Sequence, residues 1–502
     1  MKKVKKLSLT DLVLYGLVFM VPIAPVSLYG VVYNLSHGMV ALVYIIGAIA
    51  MFFTAYSYST LSQHISSSGS AYAYAGVCIN PAVGFLTGWI LLLDYLLFPT
   101  LVAVLGGVAV HAILPQIPVW VWPLIYVAIG TGVNYLGIQQ TAKFDKLLVF
   151  IQLGILAIFV LLIVRLMLLD SSQITLSFRP FFDSQWFTPG LIATAISVAA
   201  LNFLGFDAIS TLSEESEGGG RAVSKATLLA LVLATVLFII VVAFAAFATG
   251  NVDRFAEGNA TNEAFFTIAG NVGGIWLKVA FSIIVAFVCA VGNIITAQTA
   301  VSRVLFSMGR DRMLPAFLAH VHTTRKTPDY AILFTGGVTL LLSYLFSGKI
   351  ESISTLVNFG ALFAFFVVNL CVFILFNFRM KAQRRIFAHV ISPIMGMIVI
   401  GYVCLNMNIH ALILGISWAA IGIAILCYRK AHNQNIAIDL EGKKVARLTL
   451  CATTPAVAQR RPCSGGVIAS DIVNSVITNR CGSAQMSFET GFSFSFFVNF
   501  SV

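Results

Sequence analysis

Charge is what this chain has least of. Among its 502 residues 10% are Asp, Glu, Lys or Arg and 59% are hydrophobic, and the mean hydropathy is +0.95. Soluble domains carry roughly 25% charged residues, so a water-facing surface for a chain this long is excluded. Several chemistries are missing as well. No GxxxxGK[ST] loop is present to cradle phosphates, which argues against an ATP-driven pump. No HExxH and no nucleophile–base arrangement points to an enzyme. The eight cysteines, Cys78, Cys289, Cys371, Cys404 and Cys427 in or beside apolar segments and Cys451, Cys463 and Cys481 in the C-terminal tail, show no metal-ligand spacing and read as small apolar residues or free thiols. No metal and no cofactor is expected.

What the chain does have is apolar segments of about 20 residues, each long enough for a hydrocarbon core of ~30 Å. Twelve are expected, centred near residues 22, 50, 96, 128, 158, 200, 236, 290, 337, 365, 396 and 419. The fold class is therefore all-α integral membrane with 12 transmembrane helices. The first segment lacks a small-residue cleavage site and is read as retained. The net charge of +11 would suit nucleic acid, but its placement argues otherwise. With the N-terminal MKKVKK inside, 25 of the 30 Lys and Arg fall on the inner side. That bias is the positive-inside rule, and it puts both termini in the cytoplasm of a multi-pass cell-membrane protein. The basic balance is topology, and no nucleic-acid partner is expected.

The first span contains LVFMVPIAPVSLYG, with Pro22 and Pro25 near its middle. Each proline removes a backbone donor and clashes with the preceding turn, at about 3 kcal/mol in a helix interior. The sixth span, SVAALNFLGFDAISTLSEES, carries Gly205 and Asp207 within its apolar run. The sixth span is the first one counted five spans later. An odd number of crossings turns the second set of five over, so interrupted helices at corresponding places point to a five-plus-five inverted repeat with two further helices. The repeats are expected at about 8–169 and 189–378, inside a transporter domain of 1–430. Residues 431–502 turn polar, lose helical periodicity and read as a cytoplasmic tail, either disordered or of irregular origin.

A broken helix leaves N–H groups unpaired at one new end and C=O groups at the other. In lipid such backbone survives where it lines a cavity or meets a ligand. Pro25 suits the first turn of the second half-helix. The amides of Val26, Ser27 and Leu28 would then face the midplane and favour a carboxylate. Carbonyls around Met20, Val21, Leu201 and Asn202 would favour an ammonium group. The candidate substrate-binding residues are Val21, Ala24, Pro25, Val26, Ser27, Asn202, Phe203, Gly205 and Phe206. Asp207 and Asp94 are the intramembrane acids, costly at that depth unless they face a cavity, and are assigned to charge or proton coupling. Asp207 is equally suited to cap a second half-helix. Gln152, Asn293 and Thr296 are expected to line an ion site or to hold helices together. Glu214, Glu215 and Arg221 either form a gating salt bridge or lie in a solvated loop, and His320 and His322 lack a metal constellation.

Several stretches also match a known pattern: GSAYAYA at 69–75, INPAVGFLTGWILLLDYLLFP at 79–99, FLGFDAISTLSEE at 203–215, SRVLFSMGRDRMLP at 302–315 and LVNFGALFAF at 356–365. On these the chain resembles the amino acid–polyamine–organocation (APC) superfamily, and within it bacterial permeases related to putrescine importers. The resemblance implies a central site between helices one, three, six, eight and ten, and alternating access driven by an ion gradient or by exchange. It implies a small-molecule substrate and a coupling ion, H+ or Na+, in a lipid bilayer; oligomeric state is left open. Two departures matter. Ser27 in VSLYG stands where putrescine importers place an aspartate, which favours an amino acid over a diamine. Gln152 stands where proton-coupled relatives carry a lysine. The reading is a secondary active transporter of amino acids, with a polyamine importer as alternative and a channel or nutrient sensor on the same scaffold behind it. A rival with six-plus-six halves would place a strongly basic loop after span two, where this chain has SQHISSSGSAY.

Overall fold

The chain enters its first helix through a sequence-encoded cap. Ser8 and Asp11 form a capping box, the Asp11 amide donating to Ser8 Oγ at 3.3 Å and the Ser8 amide to Asp11 Oδ2 at 3.1 Å, which satisfies donors a helix start leaves open. The computed structural model describes residues 6–431 apart from 66–69, 112–113, 115, 138–141, 170–173, 175, 214, 251, 257–258, 311, 313, 324, 326 and 347–349. The expected tail, from 432 onward, lies outside the described residues, and so do Glu214 and the three tail cysteines.

The elements in order are α1 (Leu9–Met20), α2 (Ala24–Ser36), α3 (Val40–His64), α4 (Ser70–Cys78), α5 (Pro81–His111), α6 (Val121–Tyr135), α7 (Ala142–Leu169), α8 (Pro189–Ala199), α9 (Gly219–Thr249), α10 (Asn259–Asn262), α11 (Ala264–Gly273), α12 (Ile275–Phe287), α13 (Ile294–Arg310), α14 (Asp329–Leu345), α15 (Ile350–Ile374), α16 (Ser392–Leu405) and α17 (Ile409–Ala431). Among the described residues the one β pairing is an isolated parallel bridge between Leu7 and Ser216. Eight stretches are long and apolar enough to cross a membrane singly, and the bent pair α1–α2 makes a ninth; α14 is a shorter apolar helix. Each expected span centre falls on a helical element, except the first, which falls in the α1–α2 break. The protein is an all-α, multi-pass membrane protein. Its outer surface agrees with lipid, since α7 exposes Phe150 at 66%, Leu161 at 65% and Leu168 at 80%.

Both interrupted spans are present. α1 and α2 are bent by 44° across Val21–Ile23, where Val21 adopts φ 52° and Pro22 offers no amide. In the sixth span α8 gives way to a 3-10 turn (Ala200–Phe203), an irregular stretch holding Gly205 at φ 121°, and a second 3-10 turn (Ala208–Leu212). The unwinding is broader than one glycine predicts. Ser210 Oγ donates back to the Asp207 carbonyl and Thr211 Oγ1 to the Ala208 carbonyl, each at 2.6 Å; such local side-chain bonds compete with the α-helical ladder.

The connection over 250–271, between the seventh and eighth expected spans, carries α10 and α11, because Phe265, Phe266, Ile268 and Ala269 bury one face of α11. Phe265 meets Tyr29 of α2 edge-on at 5.8 Å and Phe159 of α7 at 4.8 Å. The long eighth segment starts at Ile275 and reaches Arg310 through a π-turn at Val288–Asn293.

Candidate substrate site

The two breaks meet. A Cβ added to Gly205 would lie 2.5 Å from Phe19 Cδ1 and 2.9 Å from the Met20 amide nitrogen, so only a glycine lets the sixth span close on the end of α1. Gly205 also needs its left-handed φ, which a side chain disfavours. Two small cavities lie beside this junction. One is lined by Asp94, Tyr95, Leu204, Gly205, Asp207 and Ala297, and the other by Val21, Ala24, Ser27, Leu201, Asn202 and Asn293 among others. Phe19 and Phe98 border both.

The first cavity is acidic. Asp207 is 4% exposed; its Oδ2 accepts from Tyr95 Oη at 3.1 Å and its Oδ1 from the Gly205 amide at 3.2 Å. Its carboxylate thereby fastens the break from the side of Gly205. Asp94 on α5 is 6% exposed, and no hydrogen bond to its carboxylate is present among the described residues. It backs onto α15, where a Cβ at Gly360 would come within 2.7 Å of the Asp94 nitrogen. Pro99 lies inside α5 and has no N–H for the Tyr95 carbonyl, which loosens this helix beside the acids. A low-dielectric cavity with two carboxylates and no cation among its lining residues suits an ammonium ligand.

The second cavity is uncharged and mostly apolar, with Ser27, Asn202 and Asn293 as its polar lining residues. Asn202 Nδ2 donates to the Tyr44 hydroxyl. Asn293 is 2% exposed and its side-chain oxygen has no partner. Ser27 faces the same space from α2. The backbone at the break is more occupied than the sequence suggested. The Val26 amide donates to the Ile23 carbonyl at 3.0 Å, the Ala24 amide to Val21 at 2.7 Å, and the Ile23 amide to Gln152 Oε1 at 3.2 Å. The reading of the Val26 amide as a free anion donor is therefore corrected, because the turn at Pro25 folds it back onto its own chain.

The remaining candidates stand apart from the cavities. Pro25 occupies the first turn of α2, as its missing donor allows. Phe203 packs on Tyr44 and Phe238, at 6.0 and 5.6 Å, and Phe206 stacks on Phe365 at 5.2 Å. Thr296 Oγ1 donates to the Gly292 and Asn293 carbonyls of the π-turn that leads into its own helix. Gln152, fully buried on α7, spends its oxygen on Ile23 and its amide on Leu148. Phe19, Phe98 and Tyr95 are among the lining residues the sequence did not single out as substrate contacts; among 40 phenylalanines nothing but the neighbouring breaks marks the first two.

The first span is fastened at both ends. At the end carrying the N-terminus, Leu7 exchanges backbone bonds with Glu215 and Glu217, and Glu215 pairs with Arg303 at 3.1 Å, not with Arg221. At the other end Tyr33 Oη donates to the Val252 carbonyl at 2.5 Å, Asn34 bonds the Phe255 backbone in both directions, and Arg179 pairs with Asp253 at 3.0 Å. His37 stacks on Trp186 at 4.1 Å.

Comparison with known proteins gives a consistent set. The profile of the family described as Amino acid permease matches residues 8–434. The chain is similar to the low-affinity putrescine importer PlaP of Escherichia coli (strain K12), 31% identical over 86% of this chain and 95% of the relative. It is also similar to the branched-chain amino acid permease BcaP of Bacillus subtilis (strain 168), 24% identical over 78% and 86%. A methylthioribose transporter of the same organism is 27% identical over 74% and 81%.

Proposed function

The chain belongs to the amino acid permease family, and on that premise we propose that it is a secondary active transporter that moves amino acids across the cytoplasmic membrane by alternating access. The carrying observation is the acidic cavity, where Asp207 is held by Tyr95 and the Gly205 amide at the meeting point of two helix breaks. In this reading the substrate ammonium sits on Asp207. Its carboxylate reaches the adjoining cavity, where Ser27 and Asn293 supply neutral polar contacts in place of the committed amides. The transporter domain comprises residues 1–430, with inverted repeats at about 8–169 and 189–378 exchanging access around this site. Charge placement supports cytoplasmic termini, and a proton is the coupling ion, carried between Asp94 and Asp207 and the bulk.

A specific observation favours a second reading. Asp94 lines the same cavity as Asp207 without a hydrogen bond of its own, and a dication such as a diamine would neutralise both acids at once. The polyamine importer is therefore the alternative; PlaP, a putrescine importer by name, is among the relatives.

Counterflow in proteoliposomes tests the proposal. Preloaded amino acid should drive uptake of labelled amino acid by the wild type, and Asp207→Asn should abolish it while the purified variant still melts cooperatively. Unaltered counterflow in Asp207→Asn would remove Asp207 from the mechanism. Substrate-dependent stabilisation without counterflow would indicate a sensor.

A further inference from the structure

Phe19 and Phe98 stand between the two cavities and border both. Their rings are parallel within 3° at a centroid separation of 5.2 Å, and both residues are buried, at 5% and 7% exposure. Stacked rings turn one face of each towards the other, so the faces inside the contact cannot receive an ammonium group passing from one cavity to the other. The contact is an apolar partition. Acid lies on one side of it, and on the other a mostly apolar cavity that holds the neutral polar groups of Ser27, Asn202 and Asn293.

Both leaves of this partition stand at weak points of their helices. Phe19 is in the last turn of α1, two residues before Val21, where φ 52° ends the helix and a 44° bend follows. Phe98 precedes Pro99, whose missing donor opens the ladder of α5 at Tyr95. Opposite them Gly205 leaves the room that Phe19 occupies, since a Cβ there would lie 2.5 Å from the ring. Helix breaks absorb rotation more readily than helix interiors, so these rings are placed to move.

We propose that the Phe19–Phe98 stack is an internal shutter between the two cavities, and that parting it is what makes the site select substrates by chain length. A substrate too short to reach past the rings uses the acidic cavity alone. One long enough to place its second polar group beside Ser27, Asn202 and Asn293 must separate the rings, and gains the contacts of both cavities. The inference rests on the transport reading, in which both cavities receive parts of one substrate.

The test uses α,ω-diamines and ω-amino acids of increasing chain length, with thermal stabilisation of the purified full chain giving Kd and counterflow giving transport. The wild type should show a steep dependence on length. Phe98→Ala should flatten it, compressing the spread of Kd across the series by about tenfold or more, and the milder Phe98→Leu should fall between. A loss by the same factor at every length, or a length dependence left unchanged, overturns the shutter and leaves the transport reading standing. If the wild type neither binds nor transports any member and also shows no amino acid counterflow, the transport reading fails. The partition is then decided by labelling Ala297→Cys, in the acidic cavity, with a water-soluble methanethiosulfonate, counted against the same chain without the added cysteine. Labelling about tenfold faster with Phe98→Ala present supports a partition, and an unchanged rate overturns it.

Discussion

Gln152 of α7 accepts the amide of Ile23 at 3.2 Å, across 129 positions of sequence. Pro22 and Pro25 leave Ile23 in the gap between two helices, and its N–H has no carbonyl a turn earlier to meet. The side chain of a neighbouring helix takes that place, and its own amide is anchored on Leu148 at 3.1 Å. A break in membrane-embedded backbone is thus closed from outside its own helix.

Gln152→Leu is therefore expected to lower stability by about 1–3 kcal/mol, the cost of leaving one buried donor unsatisfied. Leucine is close in size and supplies no acceptor, so the loss reports the hydrogen bond more than the packing. The melting temperature of the detergent-purified variant checks it. A melting point equal to the wild type would mean that the Ile23 amide finds another partner.

Gly205→Ala faces two penalties. At φ 121° a side chain adds backbone strain of about 1–3 kcal/mol, and the new methyl would press on Phe19 and on the Met20 nitrogen. Gly360→Ala meets Asp94 as tightly, at 2.7 Å from its nitrogen, without a left-handed φ. Gly205→Ala should be the more destabilising of the two in thermal melts. Combining it with Phe19→Leu should recover part of the loss, the part due to the ring, and a double-mutant cycle measures that coupling. Additive effects would show that the two sites do not communicate.

The span pattern was legible because a membrane asks for long apolar segments and little else. The break in the first span was legible because two prolines at mid-depth have few other uses. Gly205 alone is a weak breaker; its place five spans later, with an acid two residues on, made it readable. What the sequence hid depends on where side chains turn. Val26 looked like an anion donor until its amide closed onto Ile23. Gln152 looked like an ion ligand, yet it fastens backbone. Phe203 and Phe206 flank the break and pack away from both cavities, while Phe19 and Phe98 border both. Which phenylalanine faces a cavity is decided by helix rotation, and no local pattern encodes that.

His37, in the connection between α2 and α3, gives a pH dependence outside the spans. Partial burial holds its pKa below the ordinary 6.5, with Arg254 and Arg179 adding to the effect against Asp253 and Asp183. Between the lowered folded pKa and 6.5 the unfolded chain binds more proton than the folded one, so stability rises with pH through that window. Above it no penalty remains, and below the folded pKa the penalty is complete. Melting temperature should therefore climb as pH is raised towards neutrality, and His37→Gln should remove that component. A pH slope identical in the variant would place the dependence elsewhere.

Asp94→Asn separates the two substrate readings. Asp207 has two donors and is placed to hold one ammonium group in either case. Asp94 has no such donors, shares the cavity and adds a second negative charge only where the ligand brings a second positive one. The substitution keeps shape and removes charge. It should weaken diamine binding by about tenfold or more, the scale of one charge-assisted hydrogen bond, and leave a neutral amino acid within about threefold, which is less than 1 kcal/mol. Calorimetric titration of both ligand classes into wild type and variant measures the difference. Equal losses for diamine and amino acid would show that Asp94 acts on the site as a whole, through its contact with Gly360 or through the proton, and does not meet a second substrate charge.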